Sequence, residues 1–163
     1  MDRTDTEILN MLQQDSEIQL AEIAKRVNLS QTPCWRRIQR LEEAGYILRR
    51  VALLNPGKLN VSVTVFVTIK TNQHDPEWFE KLRTVIHETP EVVGFYRLAG
   101  TIDYLLRVVV PDIAGYDEFY KKFTGSVKIT EMVSSFVIEE IKETTSLPLK
   151  YIEYKGDCHK KIH

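Results

Sequence analysis

The chain has 163 residues, 43% hydrophobic and 28% charged, with a net charge of −1, which is the profile of a globular protein and excludes a disordered or fibrous one. No stretch is long and apolar enough to span a bilayer, and the opening Met1-Asp2-Arg3-Thr4-Asp5 lacks the apolar core of a secretion signal, so a cytoplasmic location is expected. Cys34 and Cys158 lie too far apart in the chain to suggest a disulfide framework.

The length suits one medium domain or two small ones, and a lobe of about fifty residues would be marginal alone. The near-zero net charge hides a segregation. Residues 1–24 carry six acids against Arg3 and sum to −5, whereas residues 25–50 carry seven bases against Glu42 and Glu43 and sum to +5. A phosphate backbone meets local charge, so the second segment is a candidate nucleic-acid surface.

Ile8, Leu9 and Leu12 recur at helical spacing after Thr4 and Asp5, predicting a first helix over 4–14. Leu20, Ile23, Ala24 and Val27 mark a short second helix. Asn28-Leu29-Ser30 reads as a turn, with Ser30 the N-cap of a third helix running to about Glu43. Pro33 falls in its first turn, where a missing N–H costs little, and Gly45 ends it. Tyr46-Ile47-Leu48 and Val51-Ala52-Leu53 flank Arg49-Arg50 and predict two short strands, a wing. Asn55-Pro56-Gly57 breaks the pattern, and the expected division is 1–54 for the first domain, 55–60 for a linker and 61–148 for the second domain. The tail over 149–163 is short and mixed in composition.

From Val61 the apolar period becomes two, which predicts a strand over 61–70. Pro76 opens a helix with Phe79, Leu82, Val85 and Ile86 on one face; strands follow over 91–98 and 103–110, separated by Gly100-Thr101-Ile102. Ile113, Tyr116, Phe119, Tyr120 and Phe123 make another amphipathic helix, and 129–141 reads as a last, long strand. The order βαββαβ is that of a ferredoxin-like, four-stranded antiparallel sheet with two helices on one face. The whole is an α+β chain: a winged helix-turn-helix, then a βαββαβ domain.

In such a head the third helix enters the major groove with its first residues at the base edges. Gln31, Thr32, Trp35 and Arg36 lie at that start; Gln matches adenine, Arg matches guanine, and a Thr methyl meets thymine. Arg37 and Arg40 farther along, and Arg49 and Arg50 on the wing, are candidates for phosphate contact. The plainer alternative is a solvated basic face; for Trp35 it is a core aromatic, and for Cys34 a small buried packing residue.

Asp5-x-x-Ile8-Leu9-x-x-Leu12-Gln13-x-Asp15, Leu20-x-x-Ile23-Ala24-x-x-Val27-x-Leu29-Ser30, Thr32-Pro33-Cys34-x-x-Arg37-Ile38-x-Arg40-Leu41-Glu42-x-x-Gly45 and Ala52-Leu53-Leu54-Asn55-Pro56 together resemble the Lrp/AsnC ("feast/famine") transcriptional regulators, in detail their DecR-like branch. The resemblance covers residues 2–148. It implies operator DNA as partner and a RAM/ACT-like second domain that senses amino acids and builds dimers, then tetramers or octamers. It also implies an effector site between subunits. Gly100-Thr101-Ile102-Asp103-Tyr104 looks like the family's Gly-x-x-Asp-Tyr run, and Ser134, Ser135 and Phe136 occupy the facing segment of the last strand. Asp103 would receive an ammonium, and N–H groups near Gly100 a carboxylate; the alternative is that both residues only make a turn.

The second domain carries no phosphate loop, no metal spacing and no nucleophile beside His74 or His87, so neither an enzyme nor a cofactor is expected. Its uncovered, Val-rich sheet face is expected to be closed by a second copy. Three alternatives remain open: an architectural nucleoid-type DNA binder without a dedicated effector, an enzymatic second domain, and a metal or redox sensor built on Asp157, Cys158, His159 and His163.

Overall fold

The computed structural model of the protein describes residues 1–73 and 75–154. His74 and the cluster Asp157, Cys158, His159 and His163 lie outside the described residues. Two compact units form: Met1–Leu53 together with the chain from Lys142 onward, and Leu54–Ile141. The expected second domain ran to residue 148, so the segment 142–148 groups with the first unit instead.

The first unit holds α1 (Arg3–Gln14), α2 (Leu20–Arg26) and α3 (Gln31–Glu43). Asp2 caps α1 reciprocally: its carboxylate accepts from the Asp5 N–H at 2.8 Å, and the Asp5 carboxylate accepts from the Asp2 N–H at 3.0 Å, which satisfies two free donors of the first turn. Helix α2 ends at Arg26 with Val27 as its C-cap, and Asn28 beyond it is left-handed, at φ 54°. The Leu29 N–H returns to the Ala24 carbonyl and the Asn28 N–H to Lys25, closing the helix end while turning the chain. Gly45, at φ 74°, repeats the device after α3 with Tyr46 bonded to Leu41. Ser30 is the N-cap of α3, yet its hydroxyl makes no capping bond. Ile8, Leu12, Ile23, Ala24, Cys34, Ile38 and Leu41 form the core.

The two wing strands expected over 46–53 do not form; no strand occurs between α3 and Val63. An isolated two-stranded ribbon is marginal in water, and Arg49-Arg50 supplies none of the Gly or Asn that a tight hairpin turn requires. Residues 55–61 instead close on themselves, with Lys58 bonded to Asn55 and Leu59 and Val61 to Pro56.

The second unit is β1 (Val63–Lys70), α4 (Pro76–His87), β2 (Val92–Arg97), β3 (Tyr104–Val110), α5 (Ile113–Ser126) and β4 (Glu131–Phe136). The strands pair antiparallel in the order β2-β3-β1-β4, so the βαββαβ expectation holds. Asp75 and Asp112 cap the two helices through the N–H groups of Trp78 and Gly115. Both helices cover the face that carries Val65, Val67, Ile69, Leu106, Val108 and Val110, where Leu82, Phe119 and Phe123 complete a buried core. Burying each of these large apolar side chains is worth about 1.5–3 kcal/mol.

Two sequence expectations change here. The last strand ends at Phe136 rather than 141, because β1, its partner, begins at Val63; Val137 still bonds to Thr64, and beyond that no strand remains to pair with. The alternating valines of β1 lie on the helix-covered face. The uncovered face instead carries Thr64, Phe66 and Thr68 of β1, opposite Val109, Arg107 and Leu105 of β3 and, for Phe66 and Thr68, opposite Ser135 and Val133 of β4.

Candidate functional site

Helix α3 buries Cys34, Ile38 and Leu41, and that stripe sets the phase of everything else on it. Gln31, Thr32, Trp35 and Arg36 are all exposed and share the opposite side, as an i, i+3, i+4 pattern requires. Trp35 is 51% exposed, not a core residue; its inner edge lines a groove with Leu12, Leu20, Ile23 and Ile38. Arg36 makes no hydrogen bond or ion pair among the described residues. Cys34 is fully buried and unpaired, and burial pushes its thiol up, against the opposing pull of Arg37; it packs as the sequence suggested.

The remaining arginines divide. Arg37 turns inward and bonds the Asp2 and Asp5 carboxylates at 2.6 and 2.7 Å. Asp5 is 2% exposed, and a buried carboxylate requires such partners. Arg37 is therefore an internal tie between α1 and α3 rather than a free phosphate contact. Arg40 is largely exposed but also reaches Asp5, at 3.2 Å. Arg50 pairs with Glu42 at 3.0 Å, and Glu42 receives the Gln39 amide as well. Arg49 is exposed and unpaired among the described residues. Gln39 was passed over in the sequence; it stands four residues after Trp35 and three after Arg36, and that spacing was the signal that could have found it.

In the second unit the six expected effector residues do not converge within one copy. Gly100 sits at φ 148° with open space where a side chain would project. The Asp103 carboxylate accepts from the Thr71 N–H at 2.8 Å through Oδ2, and its backbone joins Ile69 and Leu98. Asp103 thus ties three strand ends together, and its Oδ1 has no hydrogen bond among the described residues. Tyr104 is buried, stacked between Phe79 and Phe95 beside Trp78; it is a core residue. Ser134 faces the helix side and shares a hydrogen bond with the Tyr116 hydroxyl, whose ionisation burial pushes up against the pull of that bond. Phe136 meets Tyr116 edge-on at 5.0 Å and stays partly exposed, and Ser135 points to the uncovered face. Asp103 immediately precedes β3 while residues 134–136 end β4, on opposite sides of β1; two strand spacings separate them by about 10 Å laterally, and an offset of three to five residues along β1 adds to that distance.

Residues 1–47 match the winged helix-turn-helix DNA-binding family, and residues 64–147 match the Lrp/AsnC ligand binding domain. The chain is 48% identical over 151 residues to the DNA-binding transcriptional activator DecR of Escherichia coli, covering 92% of this chain and 99% of that protein. An AsnC family transcriptional regulator from Agrobacterium tumefaciens, solved by crystallography, is 56% identical with a TM-score of 0.90, covering 94% of this chain and 100% of that one. A transcriptional regulator from Neisseria meningitidis, solved in complex with L-Met, is 34% identical with a TM-score of 0.88, covering 92% of this chain and 97% of that one.

Proposed function

The chain belongs to the Lrp/AsnC family of transcriptional regulators, and from that premise we propose that it is a sequence-specific DNA-binding regulator whose operator binding responds to a small amino acid held between subunits. The observation that carries the reading is the outward face of α3. Gln31, Thr32, Trp35 and Arg36 stand exposed together, and Arg36 is free of partners among the described residues. These are base-edge side chains at the end of the helix that enters the groove. Arg40, Arg49 and Arg50 lie farther along the same cationic segment and serve the phosphates; Arg50 exchanges Glu42 for a phosphate at the surface, where ion pairs are weak.

An amino-acid effector is supported by the L-Met complex of the Neisseria relative and by Asp103 Oδ1, which has no hydrogen bond among the described residues and is an acceptor suited to an ammonium. Gly100 supplies backbone that a carboxylate can approach closely. Ser135 and Phe136 lie too far from Asp103 in one copy, so the pocket draws its two halves from neighbouring subunits of a homodimer or of a tetramer or octamer built from dimers. Tyr104 and Ser134 act from beneath it, through packing. The effector shifts the population of assemblies by its differential affinity for them. The reading places the protein in the cytoplasm, with the chromosome. No helix among the described residues is long and apolar enough to cross a membrane.

Gel-shift titration of promoter fragments from its own genome tests the proposal, with Arg36→Ala beside the unaltered protein and each of the twenty amino acids added in turn. Binding of the unaltered protein, a loss of about tenfold or more in Arg36→Ala and a response to at least one amino acid are expected. Equal affinity of the two proteins would overturn the assigned face; indifference to all twenty amino acids would overturn the effector.

A further inference from the structure

Asp5 on α1 and Arg40 on α3 stand 35 residues apart in the chain and meet within the first unit. The Asp5 carboxylate is buried and held by three groups. It accepts from the Asp2 N–H at 3.0 Å, from Arg37 Nη1 at 2.7 Å, and from Arg40 Nη2 at 3.2 Å through Oδ1 and 3.3 Å through Oδ2. A buried carboxylate needs these donors and does not leave them for solvent, so in the Asp5–Arg40 pair the arginine is the partner that is tethered. The Arg40 side chain is nonetheless 62% exposed, against 27% for Arg37. Only its Nη2 is engaged; Nε and Nη1 make no hydrogen bond among the described residues, so their N–H groups are available to an acceptor. Thr32, Arg36 and Arg40 follow one another at intervals of four, which puts them on one stripe of α3, and all three are exposed.

We propose that Asp5 is a positioning residue for DNA binding: its buried carboxylate holds Arg40 by Nη2 and leaves Nε and Nη1 to meet a backbone phosphate beside the groove that α3 enters. This rests on the DNA-binding reading above. A guanidinium is a planar fork with donors on more than one edge, so it can bond a fixed carboxylate and a phosphate at the same time. A lysine ammonium is a compact point charge and does not span the same two acceptors in a fixed geometry. A long side chain also loses rotamer freedom when it binds, and one already tethered in the free protein loses less. Arg37, with the same Asp5 on one side and Asp2 on the other, is satisfied inside the fold; Arg40 shares a single carboxylate and stays open to solvent.

The test uses the full chain and gel-shift titration, at one ionic strength, of a promoter fragment from its own genome that the unaltered protein binds. Asp5→Asn, Arg40→Ala and the double variant complete a cycle. Asp5→Asn is expected to weaken binding about threefold to tenfold when Arg40 is present, and by less than about twofold when residue 40 is already Ala. Equal losses in the two backgrounds would show a purely structural role, and tighter binding by Asp5→Asn would show a carboxylate that competes with phosphate; either overturns the proposal. Thermal melts establish that each variant is folded at the binding temperature. Should Asp5→Asn be unfolded there, Arg40→Lys decides: a loss of about threefold or more is expected although the charge is kept, and affinity equal to that of the unaltered protein overturns the proposal. Nitrogen NMR of the arginine side chains reads the tether without DNA. The Arg40 guanidinium should rotate more slowly than that of Arg36, and equal rates overturn the tether. An unaltered protein that binds no promoter fragment overturns the DNA-binding reading and the positioning role together, whereas equal losses in the cycle overturn the positioning role alone.

Discussion

Arg36 and Arg37 are neighbours in the chain, yet about 100° of helix rotation separates their directions. Arg36 points to solvent without a partner among the described residues; Arg37 points inward to Asp2 and the buried Asp5. Removing one partner of a buried ion pair leaves an uncompensated charge, which costs about 3–5 kcal/mol in general. Arg40 remains at 3.2 Å from Asp5 and partly compensates its charge, so the cost of Arg37→Ala falls just below that range. Urea denaturation should show a loss of about 2–3 kcal/mol for Arg37→Ala and almost none for Arg36→Ala; equal curves for the two variants would contradict the assignment.

The same ties have a pH signature. Partial burial raises the Asp2 carboxyl, but the Asp5 N–H and the Arg37 guanidinium outweigh it and hold the group below its usual value of 3.8. A carboxylate held lower when folded than when unfolded contributes stability that is complete above the unfolded value and vanishes as pH falls through the folded one. The Asp2 contribution should therefore be intact at pH 5 and fade below about pH 3.8. Asp2→Asn should narrow the stability difference between pH 5 and pH 3 in thermal melts, and an unchanged difference would refute the account.

At the scale of elements, the turn between α2 and α3 and the end of α3 each depend on one left-handed residue, Asn28 and Gly45. Gly45, at φ 74°, has nothing within 4 Å of the position a Cβ would take, so an added methyl meets no clash and only the backbone penalty remains. Gly45→Ala should cost about 1–2 kcal/mol, whereas Asn28→Gly should be near neutral because both residue types accept that conformation. A larger loss in Asn28→Gly than in Gly45→Ala, by calorimetry, would disprove the reading.

Element types were legible because they rest on period. Ile8, Leu9 and Leu12 recur every three or four residues, and Val63, Val65, Val67 and Ile69 every second one. Element ends were less legible. The last strand continues in apolar pattern through Ile138 and Ile141, yet it stops at Phe136, opposite Val65 and two residues short of the end of its partner strand. The two strands expected over 46–53 failed for a related reason: apolar triplets around Arg49-Arg50 resemble strands, but a strand needs a partner and a turn that those residues do not supply.

For the molecule as a whole, the uncovered sheet face is the surface most in need of a partner. Phe66, Tyr96 and Val133 are exposed, with Leu105 and Val109 half-buried among them, an apolar patch that a second copy would cover. Val133→Arg should lower the assembly mass seen by sedimentation velocity at micromolar concentration while leaving each copy folded. A sedimentation profile identical to that of the unaltered protein would remove this face from the assembly.

Composition, charge segregation and apolar period, all properties of residues taken in order, were enough to determine the two-part architecture, the helix-turn-helix and the basic third helix. Which arginine on that helix is free, which expected effector residues are accessible, and that Asp5 holds Arg40 were decided only by the tertiary structure. Charge, size and spacing are written in the chain, but partners distant in sequence are not. Arg37 meets Asp2 and Asp5, Ser134 meets Tyr116 and Tyr104 meets Phe79 and Phe95 because packing a core brings them together, and a side chain already satisfied inside the fold is no longer free to meet a ligand.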